Sequence, residues 1–295
     1  MRIVVTGAGG FVGRALLRTL VGHDVVAVDS QLHGNPGVEG DLCDLETLSR
    51  AFANGCDAVV HLATVPGGAA EADPVLAKQV NLDASMALID TAARGGACPR
   101  FVFASSIAVF GDNLPAEVDD TTPLAPRMIY GAHKAMMEQW IDAQTRRGAI
   151  SGLSLRLPGI VARPRAPSGM KSAFMSDVFH AIAARQAIEL PVSSAAAMWL
   201  MSVERVAANI AHAVQIEDVG AVTLPALRVS MAELVAGIAA ATGADLALGK
   251  YRPDAPLEAA FGRQPPLTTP RADAMGFAHD GTIDALVASA LTTLA

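Results

Sequence analysis

The segment Arg2-Ile3-Val4-Val5-Thr6 runs directly into Gly7-Ala8-Gly9-Gly10-Phe11-Val12-Gly13, and no other stretch constrains the fold as tightly. A short apolar, β-branched run reads as a strand. The glycines then stand in the order G-x-x-G-x-x-G at the start of a helix predicted over Phe11–Val21. Gly7 permits a tight turn, Gly10 lets a bound group approach the backbone, and Gly13 lets the helix pack closely on the strand. The first helical N–H groups, at Phe11, Val12 and Gly13, carry a partial positive charge suited to a pyrophosphate. The plainer reading is a glycine-rich loop with no ligand. The next strand, Asp24–Val28, argues against it by ending at Asp29, 22 residues after Gly7. A carboxylate there accepts hydrogen bonds from the ribose hydroxyls of an adenine dinucleotide and repels a 2′-phosphate. Ser30-Gln31-Leu32 offer no arginine to pair with such a phosphate, so the expected cofactor is NAD rather than NADP.

The pattern repeats. Strands are predicted near Val38–Gly40 and over Asp57–Ala63, Arg100–Ser105 and Ser154–Leu157, with helices over Leu45–Ala53, Glu71–Arg94 and Tyr130–Arg147. Alternating β and α segments with unbroken apolar strands imply an α/β fold, a doubly wound parallel sheet. The composition agrees, at 52 % apolar residues but only 4 % aromatic, as in helices covering a parallel sheet. Past Leu157 regularity loosens around Pro158, Pro164 and Pro167. Shorter elements are expected over Phe174–Arg185, Ile188–Pro191, Val203–Val214 and Ala221–Leu224. A further helix, Ser230–Thr242, carries Ser230 and Glu233 in capping-box spacing. Pro253–Pro270 receives no assignment. The expected domains are 1–157, with a contribution from about 192–222, and a small mixed α/β lid from 158–191 and 223–295.

Tyr130-Gly131-Ala132-His133-Lys134 places a phenol and an ammonium four residues apart at a helix start, hence on one face. A phenol titrates near ~10, too high for acid–base work at neutral pH, and an adjacent cation favours the phenolate. The spacing alone is common on solvated helix faces. It gains meaning from Ser105-Ser106 about 24 residues upstream, at the carboxyl end of a strand, where ligands of open α/β sheets bind. His61, ending another strand, reads as a hydrogen-bonded core histidine rather than a catalytic one. His133 is given no role.

The net charge of −7 and a pI near 5.5 argue against nucleic acid or an anionic membrane surface as partner. No uncharged run reaches the ~18 residues of a membrane span. Strand-like residues from Arg2 onward leave no room for a signal peptide. Cys43, Cys56 and Cys98 form neither a metal-ligand spacing nor a disulfide framework, so a reducing cytoplasm is expected.

Taken together, T-G-A-G-G-F-V-G (6–13), D-L (41–42), H-L-A (61–63), S-S-I-A-V-F-G (105–111), Y-G-A-H-K (130–134) and R-L-P-G-I-V-A-R-P (156–164) resemble the extended short-chain dehydrogenase/reductases, the superfamily of nucleotide-sugar epimerases and dehydratases. Further on, 191–202 and 222–234 resemble the branch containing D-erythronate dehydrogenase, an NAD-dependent oxidant of a four-carbon sugar acid. The resemblance implies that Tyr130 is the general acid/base, Lys134 lowers its pKa and holds the nicotinamide ribose, and Ser106 binds the reacting oxygen. By the same resemblance Asp41 and Leu42 contact adenine, Leu62 and Ala63 the cofactor ribose or pyrophosphate, and Pro158 and Ile160 the nicotinamide. Asn81 braces the active-site strands. Thr64, Ser106, Arg163, Lys171 and Trp199 are the candidate substrate contacts. Arg163, Arg165 and Lys171 could hold a carboxylate, the plainer reading of each being a surface charge, and of Trp199, packing. Dehydratases of the superfamily place an acidic pair beside the serine; here Ile107 follows Ser106, so elimination lacks its acid and base. The expected activity is NAD-dependent oxidation of a secondary hydroxyl on a small sugar acid, with nucleotide-sugar epimerisation as the alternative and a homodimer as the expected assembly.

Overall fold

The computed structural model describes residues 1–94, 98–165 and 171–294; Pro167, expected to break regularity, lies outside them. Among the described residues twelve strands occur in chain order: β1 Arg2–Thr6, β2 Asp24–Asp29, β3 Val38–Glu39, β4 Ala58–His61, β5 Arg100–Ser106, β6 Ser151–Leu157, β7 Gly159–Val161, β8 Ile188–Leu190, β9 Ala197–Ser202, β10 Gly220–Thr223, β11 Leu227–Ser230 and β12 Gly249–Tyr251. Seven of them form one sheet, ordered β10-β6-β5-β4-β1-β2-β3, in which every pairing is parallel. The order reverses between β1 and β4, and ligands bind outside the carboxyl ends of strands at such a switch point. Full burial of Ala58, Val59 and Val60 explains the unbroken apolar run of β4.

The chain divides into two compact units. The first comprises 1–111, 124–157 and 207–223; the second comprises 112–123, 158–206 and 224–295. Residues 112–123 therefore group with the second unit, where Val118 bridges to Leu267, rather than within the expected 1–157. Of the expected contribution from 192–222, only the part from Ala207 onward joins the first unit, because β9 pairs with β7 and β11 in the second. The first unit has its core in Val4, Leu48, Phe101, Phe103, Met137 and Ile141, and the second in Val178, Phe179, Met198, Leu200, Leu234 and Ile238.

The long helix expected over Glu71–Arg94 is broken. Helices Gly67–Ala72 and Pro74–Lys78 meet at Asp73, a π-helical turn follows over Gln79–Ala84, and Ser85–Ala93 completes the segment. Pro74 lacks an N–H and forces the preceding residue out of helical geometry, so one helix ends and another begins. Asp73 caps the second, accepting from Leu76 N at 3.0 Å. Ser230 and Glu233 form the expected reciprocal cap. Within Pro253–Pro270 a helix runs over Ala255–Phe261, its Asp254 cap accepting from Leu257 N at 2.9 Å.

Candidate active site

The glycine turn follows β1 as its residues require. Gly7 has φ of +72°, and a Cβ there would lie 2.6 Å from Ala63 N, so the loops after β1 and β4 abut only because the side chain is absent. A Cβ at Gly13 would lie 2.7 Å from Ala8 Cα, which confirms the close packing of the helix Phe11–Thr19 on the turn. Gly10 is exposed, and a Cβ there would meet only Gly7 O, at 3.2 Å. The helix has no side-chain cap and no acidic residue in its first turn. Its first internal bond runs from Arg14 N to Gly10 O, leaving the N–H groups of Phe11, Val12 and Gly13 ahead of it. That is an uncluttered cradle for a pyrophosphate.

Asp29 ends β2 beside this turn. One carboxylate oxygen accepts from Gly9 N at 2.9 Å; the other accepts from Gln31 N at 3.1 Å and Ser30 Oγ at 3.3 Å. Two oxygens offer about four acceptor sites, so ribose hydroxyls can share the group with its loop. Gly9 is a position that sequence reasoning passed over. A Cβ there would run into Gln31 O, and the second glycine of G-A-G-G was the available signal. Asp41 is exposed and accepts from Cys43 N at 2.8 Å. Leu42 is largely buried in the core beside Leu48, which limits what its side chain can offer an adenine. Leu62, Ala63 and Thr64 are half-buried after β4. Asn81, in the π-helical turn, fastens this loop: its Oδ1 accepts from Thr64 Oγ1 at 3.0 Å and Val65 N at 2.7 Å, and its Nδ2 donates to Val65 O at 3.0 Å.

His61 is a core residue. Its ring nitrogens contact Thr6 Oγ1 at 2.6 Å and Ser85 Oγ at 2.7 Å, and it packs against Phe101 and Phe103. Burial, aided by the Lys134 charge, pulls its pKa down to about 3, so it is neutral near pH 7.

Tyr130 and Lys134 lie in the first turns of the helix Ile129–Arg146. Lys134 is buried, its Nζ 5.5 Å from the Tyr130 ring centroid and 4.5 Å from that of Phe103 on β5. Burial lowers the Lys134 pKa to about 7, and the Glu138 carboxylate opposes that fall. Gly131 brings the helix onto the turn 107–110, since a Cβ there would lie 3.0 Å from the Ala108 carbonyl carbon and closer still to its oxygen. Ser106 heads that turn, half-buried, its Oγ accepting from Ala108 N at 3.1 Å. Ser105, on the other strand face, is buried and donates to Glu138 Oε1 at 2.5 Å. Glu138 and its partner Arg156, bonded through Nη2 at 2.8 Å, went unnoticed in the sequence; the signal was a carboxylate four residues beyond Lys134.

The first unit thus brings together the glycine turn, Asp29, the 62–64 loop, Ser106, Tyr130 and Lys134. The remaining candidates belong to the second unit. Pro158 and Ile160 are buried at its start. Arg163 has its backbone clamped by Ser176 Oγ at 3.0 Å and His180 Nε2 at 2.7 Å, Arg165 lies 4.0 Å from Asp177, and Lys171 is exposed. Trp199 is 1 % exposed within β9 and donates its ring N–H to Pro265 O at 2.7 Å. That matches packing and leaves no surface for the substrate contact also considered for it. Among the described residues no group of His, Cys, Asp and Glu could hold a metal ion, and no helix is long and apolar enough to cross a membrane.

Residues 3–222 match the NAD dependent epimerase/dehydratase family. The chain belongs to that family. It is 33 % identical to the D-erythronate dehydrogenase of Cupriavidus necator, over 97 % of each chain. It is 30 % identical to the D-erythronate dehydrogenase of Haemophilus influenzae, over 82 % of this chain and 83 % of the relative. A solved structure of a nucleoside-diphosphate-sugar epimerase from Agrobacterium tumefaciens superposes with a TM-score of 0.86 at 27 % identity, covering 97 % of this chain and 92 % of that one. This family member is therefore an extended short-chain dehydrogenase/reductase, D-erythronate dehydrogenase-like in sequence, and NAD is its cofactor. The glycine cradle and Asp29 fit that cofactor on their geometry alone.

Proposed function

We propose that the protein oxidises a secondary hydroxyl of a small sugar acid of the D-erythronate kind. NAD, when bound, supplies the acceptor for the hydride. The chain's own residues manage the proton and the geometry. Tyr130 takes the hydroxyl proton, Lys134 favours the phenolate that does so, and Ser106 hydrogen-bonds the same oxygen and orients it. Asp29 holds the adenosine ribose and disfavours a 2′-phosphate. Asp41, Leu42, Leu62, Ala63, Pro158 and Ile160 complete the cofactor assignment, and Thr64 is assigned to the substrate. Arg163 and Lys171 are candidates by charge for its carboxylate, an arginine fork matching that group's geometry. Location in the cytoplasm and a homodimer belong to the same reading.

The observation that carries it is the face shared by Tyr130 and Lys134, with Lys134 buried 5.5 Å from the tyrosine ring beside β5. A solvated charge pair would not bury its ammonium at 3 % exposure. The test is reduced-nicotinamide absorbance with NAD and a panel of aldonic acids. Turnover of a four-carbon acid is expected. Absence of reduction with every sugar acid, together with conversion of a nucleotide-sugar, would overturn the proposal in favour of epimerisation.

A further inference from the structure

Tyr130, Lys134 and Glu138 follow one another at four-residue spacing on the helix Ile129–Arg146 and so line one side of it. Tyr130 and Lys134 have roles above; Glu138 has none. Its side chain is 1 % exposed and paired with an Arg156 side chain that is 11 % exposed. Besides the 2.8 Å bond from Nη2, Arg156 Nε lies 3.1 and 3.2 Å from the two carboxylate oxygens, and Ser105 donates from the end of β5. The guanidinium stands 5.3 Å from the Phe110 ring centroid. Burying an ion pair is costly and adds little stability over apolar packing, so its place here calls for another reason. The reason lies one turn away. Lys134 Nζ rests over two aromatic rings, 4.5 Å from the Phe103 centroid and 5.5 Å from that of Tyr130.

We propose that Glu138 is a positioning residue for the Tyr130–Lys134 pair: clamped by Arg156 and Ser105, its carboxylate opposes the loss of charge from the buried Lys134 and thereby favours the phenolate form of Tyr130. The groups surrounding Lys134 support this. His61 on β4 is neutral and contributes no anion. Arg156 on β6 is paired with Glu138; it fixes the carboxylate and partly offsets its field. His133 on the same helix is disfavoured as a cation by burial, and Glu71, Lys78 and Asp83 act on it in both senses. Glu138 is the carboxylate whose charge opposes the burial of Lys134. Ser105 is also the neighbour of Ser106, so one carboxylate ties the helix to the strand end that carries the serine.

The inference uses the acid/base reading of Tyr130 for its purpose, but its test needs neither substrate nor cofactor. The chain has two tyrosines, Tyr130 and Tyr251. Tyr251 is 38 % exposed on β12, so Tyr251→Phe leaves Tyr130 as the sole phenol whose ionisation an ultraviolet difference titration reads. In that background Glu138→Gln is expected to move the phenolate midpoint of the apo-protein upward, because Lys134 then loses its proton at still lower pH and the phenolate is left without its cation. Glu138→Asp, which keeps the charge but withdraws it by one methylene, should move it in the same direction by less. Circular dichroism checks that each variant is folded. If the Gln variant does not fold, the Asp variant carries the test alone. An unshifted midpoint in the folded variant overturns the proposal, as does an Asp shift as large as that of Gln, which would mean packing rather than charge. Failure of the dehydrogenase reading would show separately, as turnover that survives loss of the Tyr130 hydroxyl.

Discussion

Gly131→Ala tests whether the closeness of helix and turn sets the active geometry. The new Cβ would lie 3.0 Å from the Ala108 carbonyl carbon and 3.2 Å from Pro126 Cβ, and nearer still to Ala108 O. Carbon atoms in contact settle about 3.5–4.0 Å apart, so the helix start and the turn 107–110 must separate by roughly 0.5–1 Å. Tyr130 adjoins the substituted residue and Ser106 heads the displaced turn, so the shift falls between the acid/base and the serine. Two effects compete in stability. Alanine favours a helix by about 1 kcal/mol over glycine, while overpacking costs about 1–3 kcal/mol. The net loss should be no more than about 2 kcal/mol. Activity has no such compensation, because a misplacement of about 1 Å can cost on the order of 100-fold. The expected result is kcat/KM reduced by roughly 10- to 100-fold in a protein that remains folded and binds NAD. Steady-state kinetics, urea unfolding and cofactor titration measure the three quantities. A variant within about threefold of the parent in kcat/KM would refute the reasoning.

Three further outcomes are expected. Tyr130→Phe should abolish turnover while NAD affinity stays near the parent value; retained turnover would remove Tyr130 from the acid/base role. Asp29→Ala should lower the preference for NAD over NADP and also weaken NAD binding, since Asp29 holds Gly9 N and Gln31 N as well; an unchanged preference would mean another group reads the ribose. His61 has a folded pKa of about 3 against an ordinary 6.5. The unfolded chain therefore takes up the proton first, and the contribution of His61 is complete above pH ~6.5. It should decline by about 1.4 kcal/mol per unit as pH falls toward ~3. Urea unfolding of the parent and of His61→Gln between pH ~6.5 and ~5 compares the slopes, and equal slopes would show that His61 does not carry the effect.

Much of the first unit was legible because its signals are local. Gly7 must turn with positive φ, Asp29 must stand at a strand end to face the turn, and an i, i+4 pair must share a helix face, whatever the rest of the chain does. Those constraints yielded the parallel sheet, the cofactor cradle and the Tyr130–Lys134 pair. Element ends moved by a few residues, and the break at Pro74 was itself local, though passed over within a long apolar pattern.

The second unit was legible only in part because its order comes from distant pairing. Ala197–Ser202 is buried at every residue, so it carries neither the alternation of a half-exposed strand nor the period of a surface helix. What makes it β9 is pairing with Leu227–Ser230 on one side and Gly159–Val161 on the other. The same holds at the site. The sequence by itself singled out the glycine turn, Asp29 and the Tyr130–Lys134 pair as candidates for binding NAD and moving a proton, since those depend on glycine, charge and helical spacing. Only the tertiary structure decided that Trp199 is packing, that Gly9 bonds to Asp29, which groups Asn81 fastens, and that Glu138 pairs with Arg156 and Ser105. These facts depend on which strands and helices meet, which the packing of the whole sheet settles.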